Sequence, residues 1–263
     1  MSWIDADLTD LVARRDVGGI VRAIQTPIYG LAIRMLGDPD DASDAAQEIL
    51  LRVATHLDQF RQEASFSTWV YRAATNHLLT ARARRAEAQT REGTFEQAAD
   101  QLAEALEMSR GPSSEDRLLV EEVKLWCTHG MLLHLDRPHR LAYILGEILE
   151  LASEEGAESL AITPDAFRKR LSRARGKLDA FLGDHCGLVE RRSVCRCAKL
   201  VAPAVELGIV NAERLRYVPR LQAESLRRAI DEFANAAELF RSHPTYKFAM
   251  REMVDHKFGA GAG

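Results

Sequence analysis

The chain has no long apolar run. None of its 263 residues sits in a stretch approaching the roughly 20 apolar positions that a membrane-spanning helix needs. Residues Met1 to Asp10 are acidic and polar and lack the basic and apolar parts of a secretion signal, so a cytoplasmic protein away from membranes is expected. Runs of alternating β-branched residues are missing, which argues against sheets and for an all-α fold. No G-x-x-x-x-G-K-[ST] loop is present to cradle a nucleoside triphosphate. No Ser/His/Asp order or carboxylate pair stands out, and His77, His129 and His139 read as isolated surface or packing histidines, so no enzyme is expected. No internal repeat is seen. Cysteine is scarce: Cys127, Cys186, Cys195 and Cys197 are the only four, and in a reducing compartment they are thiols or metal ligands rather than structural disulfides.

What is present is charge, and it is unevenly spread. The net charge is −4 with 28% charged residues, which taken alone speaks against nucleic acid. The distribution says more than the sum. Arg72, Arg82, Arg84, Arg85 and Arg91 form one basic stretch, and Arg168, Lys169, Arg170, Arg173, Arg175 and Lys177 a second. Acidic blocks lie around them: Asp38, Asp40, Asp41, Asp44 and Glu48, then Glu115-Asp116 with Glu121-Glu122. Such a chain can bind DNA with one face and protein with another; solvated helix faces are the plainer alternative.

Helical periodicity runs through most of the sequence. Asp38-Pro39 reads as a cap followed by proline at the first helical position, and Ala42, Ala46, Ile49, Val53 and Leu57 then fall on one face. Arg61 to Ser65 reads as a loop, with Ser65 capping a helix that carries Phe66, Trp69, Val70 and Ala73. Residues 86–114 are rich in Ala, Glu and Gln and read as a linker holding one weakly anchored helix. The expected organisation is two helical domains, 1–90 and 116–183, joined by a linker at 91–115, with a small helical extension at 184–263. In that extension Leu226, Ile230, Phe233, Ala237 and Phe240 mark an amphipathic helix.

The sharpest motif spans Ser153 to Arg175. Ser153 is expected to cap a short helix, Ala157 is small where two helices cross, and Ala161-Ile162 make the turn. Thr163 then caps the next helix, with Pro164 in its first turn. Phe167, Leu171, Ala174 and Leu178 form a buried stripe, and Arg168, Lys169, Ser172 and Arg173 point away from it. This is a helix-turn-helix whose second helix can enter a major groove, weighed against an ordinary αα-hairpin.

Three stretches carry a resemblance. Ile28 to Glu48 resembles the start of region 2 of sigma-70-type factors in the extracytoplasmic-function (ECF) group, Phe60 to Asn76 resembles the promoter-melting part of that region, and Asp136 to Leu182 is similar to region 4. The resemblance implies a sigma factor that binds core RNA polymerase, through the beta-prime clamp helices and the beta flap, and directs it to promoter DNA. Asp41, Asp44, Gln47 and Glu48 match the polymerase-docking helix. Phe60, Arg61, Glu63, Ser65, Phe66, Trp69, Arg72 and Asn76, with Arg82, Arg84 and Arg85, match the surface that engages and opens the −10 element. Trp69 reads equally well as core. Thr163, Asp165, Arg168, Lys169, Ser172, Arg173 and Arg175 would read the −35 element.

His185-Cys186 and Cys195-x-Cys197 lie eight residues apart and can be read as a zinc site, as redox-responsive thiols or as inert cysteines. Nearby arginines would lower the thiol pKa values. No cofactor is required by the sigma reading. Some ECF factors with C-terminal extensions carry a segment similar to this cluster, and Arg241 to Tyr246 resembles the end of such extensions. The extension either regulates the factor in cis or stabilises it, and an anti-sigma factor is a further expected partner. The competing reading is a helix-turn-helix transcriptional regulator with a metal- or redox-sensing C-terminal module.

Overall fold

A computed structural model describes residues 8–79, 94–109, 113–220 and 235–241. Arg82, Arg84, Arg85 and Arg91, and Leu226, Ile230 and Phe233 of the expected amphipathic helix, lie outside the described residues. The described residues are helical with no strand; Cys186 and Cys195 form an isolated β-bridge. Among them no helix is long and apolar enough to cross a membrane.

Short helix α1 (Thr9–Ala13) precedes two long helices that begin on aspartates. Asp16 accepts the Gly19 N–H at 2.8 Å and starts α2 (Val17–Leu36). Asp38 accepts from Asp40 at 2.9 Å and Asp41 at 3.2 Å and starts α3 (Pro39–Thr55), as the cap-and-proline pattern predicts. Between them Gly37 takes a φ of +71°, and its N–H closes α2 on the Ile33 carbonyl. A Cβ there would lie 2.6 Å from a Leu133 methyl, so both backbone and packing require glycine. α2 is buried along Ile20, Ile24, Ile28, Leu31 and Met35, and α3 and α4 (Phe66–Leu78) pack around it. Leu57, expected on the α3 stripe, falls just past the helix end in a 3-10 turn and is half-buried.

In the linker, α5 (Phe95–Met108) is closed by a reciprocal cap between Thr94 and Gln97 and has no fully buried residue. This is the weakly anchored helix the composition predicts. The second half runs α6 (Arg117–Leu133), α7 (Arg137–Tyr143) with a π-type turn at Ile144–Ile148, α8 (Ser153–Ser159) and α9 (Pro164–His185). The boundary expected between 183 and 184 falls inside α9, which continues unbroken to His185. Ser153 is not the cap of α8 but its first residue. Ala152 holds the cap position, and the Glu155 carboxylate reaches back to its N–H at 3.2 Å. The extension contributes α10 (Cys197–Glu206), a 3-10 turn at Val218–Arg220 and α11 (Ala236–Arg241).

One hydrophobic core runs through both halves, and a buried cation ties them. Arg140, 2% exposed, donates to the carbonyls of Leu132, Met35, Leu133 and Leu135 at 2.6 to 2.9 Å. These carbonyls lie at the ends of α2 and α6, where helix dipoles leave partial negative charge that suits a guanidinium.

Candidate nucleic-acid interface

The turn between α8 and α9 passes through Ala161, whose φ is +52°. An alanine there costs about 1 kcal/mol, which the flanking packing tolerates. Thr163 accepts the Ala166 N–H at 3.2 Å and starts α9. Phe167, Leu171, Ala174 and Leu178 are buried against α7, α8 and the π turn, while Arg168, Lys169, Ser172 and Arg173 are exposed on the opposite side. Asp165 pairs with Lys169 at 2.8 Å and Arg168 at 3.7 Å, and the Lys169 contact holds its carboxyl below the usual range. Arg175 is set apart from this face: its Nε meets the buried Glu147 carboxylate at 2.5 Å.

Around α4 the aromatic residues gather. Phe60 lies 5.2 Å from Phe66 and 5.7 Å from Trp69, and Phe66 stacks on Trp69 at 5.7 Å. All three rings are half-buried, and Phe66 and Trp69 also rest on the core, so Trp69 is at once a packing residue and part of a surface cluster. Arg61 and Glu63 in the preceding loop and Asn76 further along α4 are exposed, and Ser65 caps α4 by accepting from Thr68 at 3.1 Å. Arg72 turns the other way. Its guanidinium donates to the Glu158 carbonyl at 2.9 and 3.1 Å, and Thr75 donates to Ser159 at 3.0 Å. α4 is thereby joined to the C-terminal end of α8, and Arg137 adds a bond to the Leu78 carbonyl at 2.8 Å.

The acidic face of α3 is at the surface: Asp44 is exposed, and Asp41, Gln47 and Glu48 are half-buried. Partial burial raises the Asp41 carboxyl above its ordinary range, and repulsion from Asp38, Asp44 and Asp40 adds to this. Arg216, far along the chain, opposes the shift. It reaches Asp38 at 2.8 Å and Asp40 at 3.1 Å. Sequence reasoning missed Arg216, and it placed Glu122 in an acidic block open to protein or solvent. Glu122 is 3% exposed and accepts three backbone N–H groups from residues 216–218. Nothing in composition separates a buried carboxylate of this kind from its half-buried neighbour Glu121, which pairs with Lys124. Glu147 was missed for the same reason; it anchors Arg175 and also Arg241 of α11.

The cysteines line one chamber of about 580 Å³ between α5, α6, α10 and the end of α9. Among the described residues no group of three or more His, Cys, Asp or Glu is gathered closely enough to hold a metal ion. The Arg196 charge pulls the Cys186 and Cys195 thiols down as expected, but burial outweighs it. Burial dominates, raising Cys186 and pushing Cys195 and Cys197 up to about 12. Arg196, the nearest guanidinium, is engaged with the Ser193, Cys195 and Arg191 carbonyls. Gly187 lets the loop close, since a Cβ there would sit 2.2 Å from the Cys195 oxygen.

The Sigma-70 region 2 family model matches residues 20–88, which contain most of α2 and all of α3 and α4. The chain is 30% identical over 191 residues to the RNA polymerase sigma-H factor of Pseudomonas aeruginosa, covering 68% of this chain and 93% of that protein. It is 46% identical over 57 residues to the ECF RNA polymerase sigma factor SigW of Bacillus subtilis, covering 22% of this chain and 30% of SigW. A solved structure of the sigma factor RpoE in complex with the anti-sigma factor NepR from Bartonella quintana aligns with 62% of this chain and 94% of its own, at 17% identity and a TM-score of 0.43. With a region 2 match over its N-terminal helices and an alignment spanning nearly all of a sigma-H factor, the chain belongs to the sigma-70 family of RNA polymerase sigma factors, in its extracytoplasmic-function group.

Proposed function

We propose that the chain binds core RNA polymerase, carries it to promoters and helps open the DNA there. One observation carries this reading: a sigma-70 region 2 and a helix-turn-helix with an outward basic face occur in order in one chain. The acidic face of α3, with Asp41, Asp44, Gln47 and Glu48, docks the polymerase, because carboxylates on an exposed face steer and orient a basic partner. Arg168, Lys169, Ser172 and Arg173 read the −35 element, with Thr163 and Asp165 at the helix start. Phe60, Phe66 and Trp69 offer faces to unstacked bases near −10, and Arg61, Glu63 and Asn76 offer polar atoms to base edges and phosphates. Binding at −35 and to the polymerase offsets the few kcal/mol needed to extrude bases at −10. The action is binding and strand opening, without a chemical step on substrate.

Elements centred at −35 and −10 lie roughly 85 Å apart along B-form DNA, at ~3.4 Å per pair over about 25 pairs. α4 and α8 touch each other here. Both elements therefore cannot be read at once until this contact parts, and the linker between the halves supplies the length, because its closure entropy rises only slowly with separation. Arg72 then becomes free for phosphates.

Run-off transcription with core polymerase and a genomic promoter pool tests the proposal. Promoter-dependent transcripts above core alone are expected, and their absence refutes it in favour of a regulator that binds DNA without polymerase. A zinc ion on His185, Cys186, Cys195 and Cys197 would require the loop to rearrange and the thiols to lose protons; elemental analysis of purified protein tests it.

A further inference from the structure

Three backbone N–H groups converge on one buried carboxylate. Glu122 of α6 accepts from Arg216 at 2.6 Å, Tyr217 at 3.0 Å and Val218 at 2.8 Å. Asn211 shapes the approach, its side-chain oxygen accepting from Glu213 at 2.9 Å and Arg214 at 3.1 Å. From this anchor two side chains reach the start of α3. The Tyr217 hydroxyl donates to the Gly37 carbonyl, and its ring stacks on buried His129 at 5.4 Å. Arg216 bridges Asp38 and Asp40. Three consecutive residues of the extension thus join α6, in the helix-turn-helix half, to the α2–α3 turn of region 2. α11 makes a second attachment near the helix-turn-helix, through Arg241 on Glu147 and Phe240 edge-on to Tyr143 at 5.5 Å.

The two ends of this strap differ in kind. The Glu122 end is buried and fully hydrogen-bonded, so it is hard to displace. The Arg216 end is 48% exposed, and exposed ion pairs are weak and salt-screened. A void of about 70 Å³ lies behind it, bounded by Trp126, Gly130, Leu133 and Asn211 among others. Asp38 and Asp40 open the acidic face that continues through Asp41, Asp44 and Glu48. Arg216 therefore offers that face the same chemistry that a basic protein partner would bring.

We propose that residues 216–218 form a cis staple: they hold the region 2 and helix-turn-helix halves together, and Arg216 occupies the first turn of the docking helix until a partner's basic residues replace it. The proposal rests on the sigma reading, with core polymerase as that partner. It makes the extension a brake on polymerase binding whose tip is released by competition.

The test uses the full chain, fluorescently labelled and titrated with core RNA polymerase, with small-angle scattering of the free protein alongside. Arg216→Glu sets a carboxylate against Asp38 and Asp40, and Tyr217→Phe removes only the hydroxyl that reaches Gly37. Arg216→Glu is expected to bind core about tenfold more tightly than the wild type with a larger radius of gyration, and Tyr217→Phe about two- to threefold more tightly, because a staple lowers the fraction of competent chains. Equal or weaker affinity in the variants overturns the staple while wild-type binding to core leaves the sigma reading standing. If neither the wild type nor the variants bind core, both readings fall. Should circular dichroism show Arg216→Glu unfolded, Tyr217→Phe decides.

Discussion

The two helices that face DNA in the proposed function, α4 and α9, are in different states of readiness. α9 presents Arg168, Lys169, Ser172 and Arg173 to solvent, with contacts only to its own first turn and to Glu154 of α8. α4 carries a comparable arginine, but Arg72 and Thr75 are bonded to the carbonyl end of α8. The same class of side chain is open on one helix and latched on the other. The difference comes from what lies opposite: a helix C-terminus offers unsatisfied carbonyls to α4, whereas among the described residues Arg168, Lys169, Ser172 and Arg173 of α9 stay exposed. In the proposed function this makes α9 preformed for the −35 element and α4 held back from the −10 element, with opening gated at the seam between the halves.

The largest effect that would break this comparison is loss of the seam itself. Arg140→Ala leaves four buried carbonyls without their donor and should cost about 4 kcal/mol, freeing α4 so that it is as open as α9; urea unfolding measures it, and a cost below ~1 kcal/mol would show that Arg140 does not hold the halves. Next is the buried His129 under Tyr217. Burial lowers its pKa from 6.5 to about 3, and the Arg34 charge adds to this. Below pH 6.5 the unfolded chain takes up a proton that the folded chain refuses. Its contribution therefore falls as pH drops from 6.5 toward 3, by up to ~1.4 kcal/mol per unit, or about 2 kcal/mol between pH 6.5 and 5. The urea midpoint of the wild type should fall from pH 6.5 to pH 5, and it should fall less in His129→Gln; equal pH slopes in the two would remove His129 as the cause. The smallest effects sharpen the contrast directly. Arg168→Ala should weaken binding to a −35 duplex about tenfold, whereas Arg72→Ala should leave that binding within about twofold and lower stability by under ~1 kcal/mol. Fluorescence anisotropy on a duplex selected by run-off transcription checks the pair, and comparable losses in both variants would erase the distinction between an open and a latched helix.

Much of this architecture is legible in the sequence because its causes are local. Asp38-Pro39, Ser65 and Thr163-Pro164 each start the helix that their capping chemistry predicts. Phe167, Leu171, Ala174 and Leu178 are buried as their spacing of three and four requires. Ser153 is the instructive exception: a serine beside Glu155 resembles a cap, but Ala152 takes the position because a backbone N–H and a carboxylate suffice to close the turn. The thiols are a second exception. Proximity to arginine in sequence implies acidic thiols, yet the guanidinium of Arg196 is hydrogen-bonded to carbonyls, and burial decides the protonation state.

The sequence by itself determined the all-helical class, the starts of α3, α4 and α9, the inward stripe of α9 and the family to which the pattern is similar. Each depends on neighbours within a few positions along the chain, where periodicity and capping act. Only the tertiary structure decided which charged residues are at work. Glu122, Arg140, Glu147 and Arg216 look like ordinary surface charges in one dimension, and each is defined by partners brought from elsewhere in the fold: Arg216 lies 178 residues from Asp38. Arg72 likewise is a phosphate contact by pattern and a latch by position. A charge takes its role from the dielectric and the partners around it, and those exist only once the helices have packed.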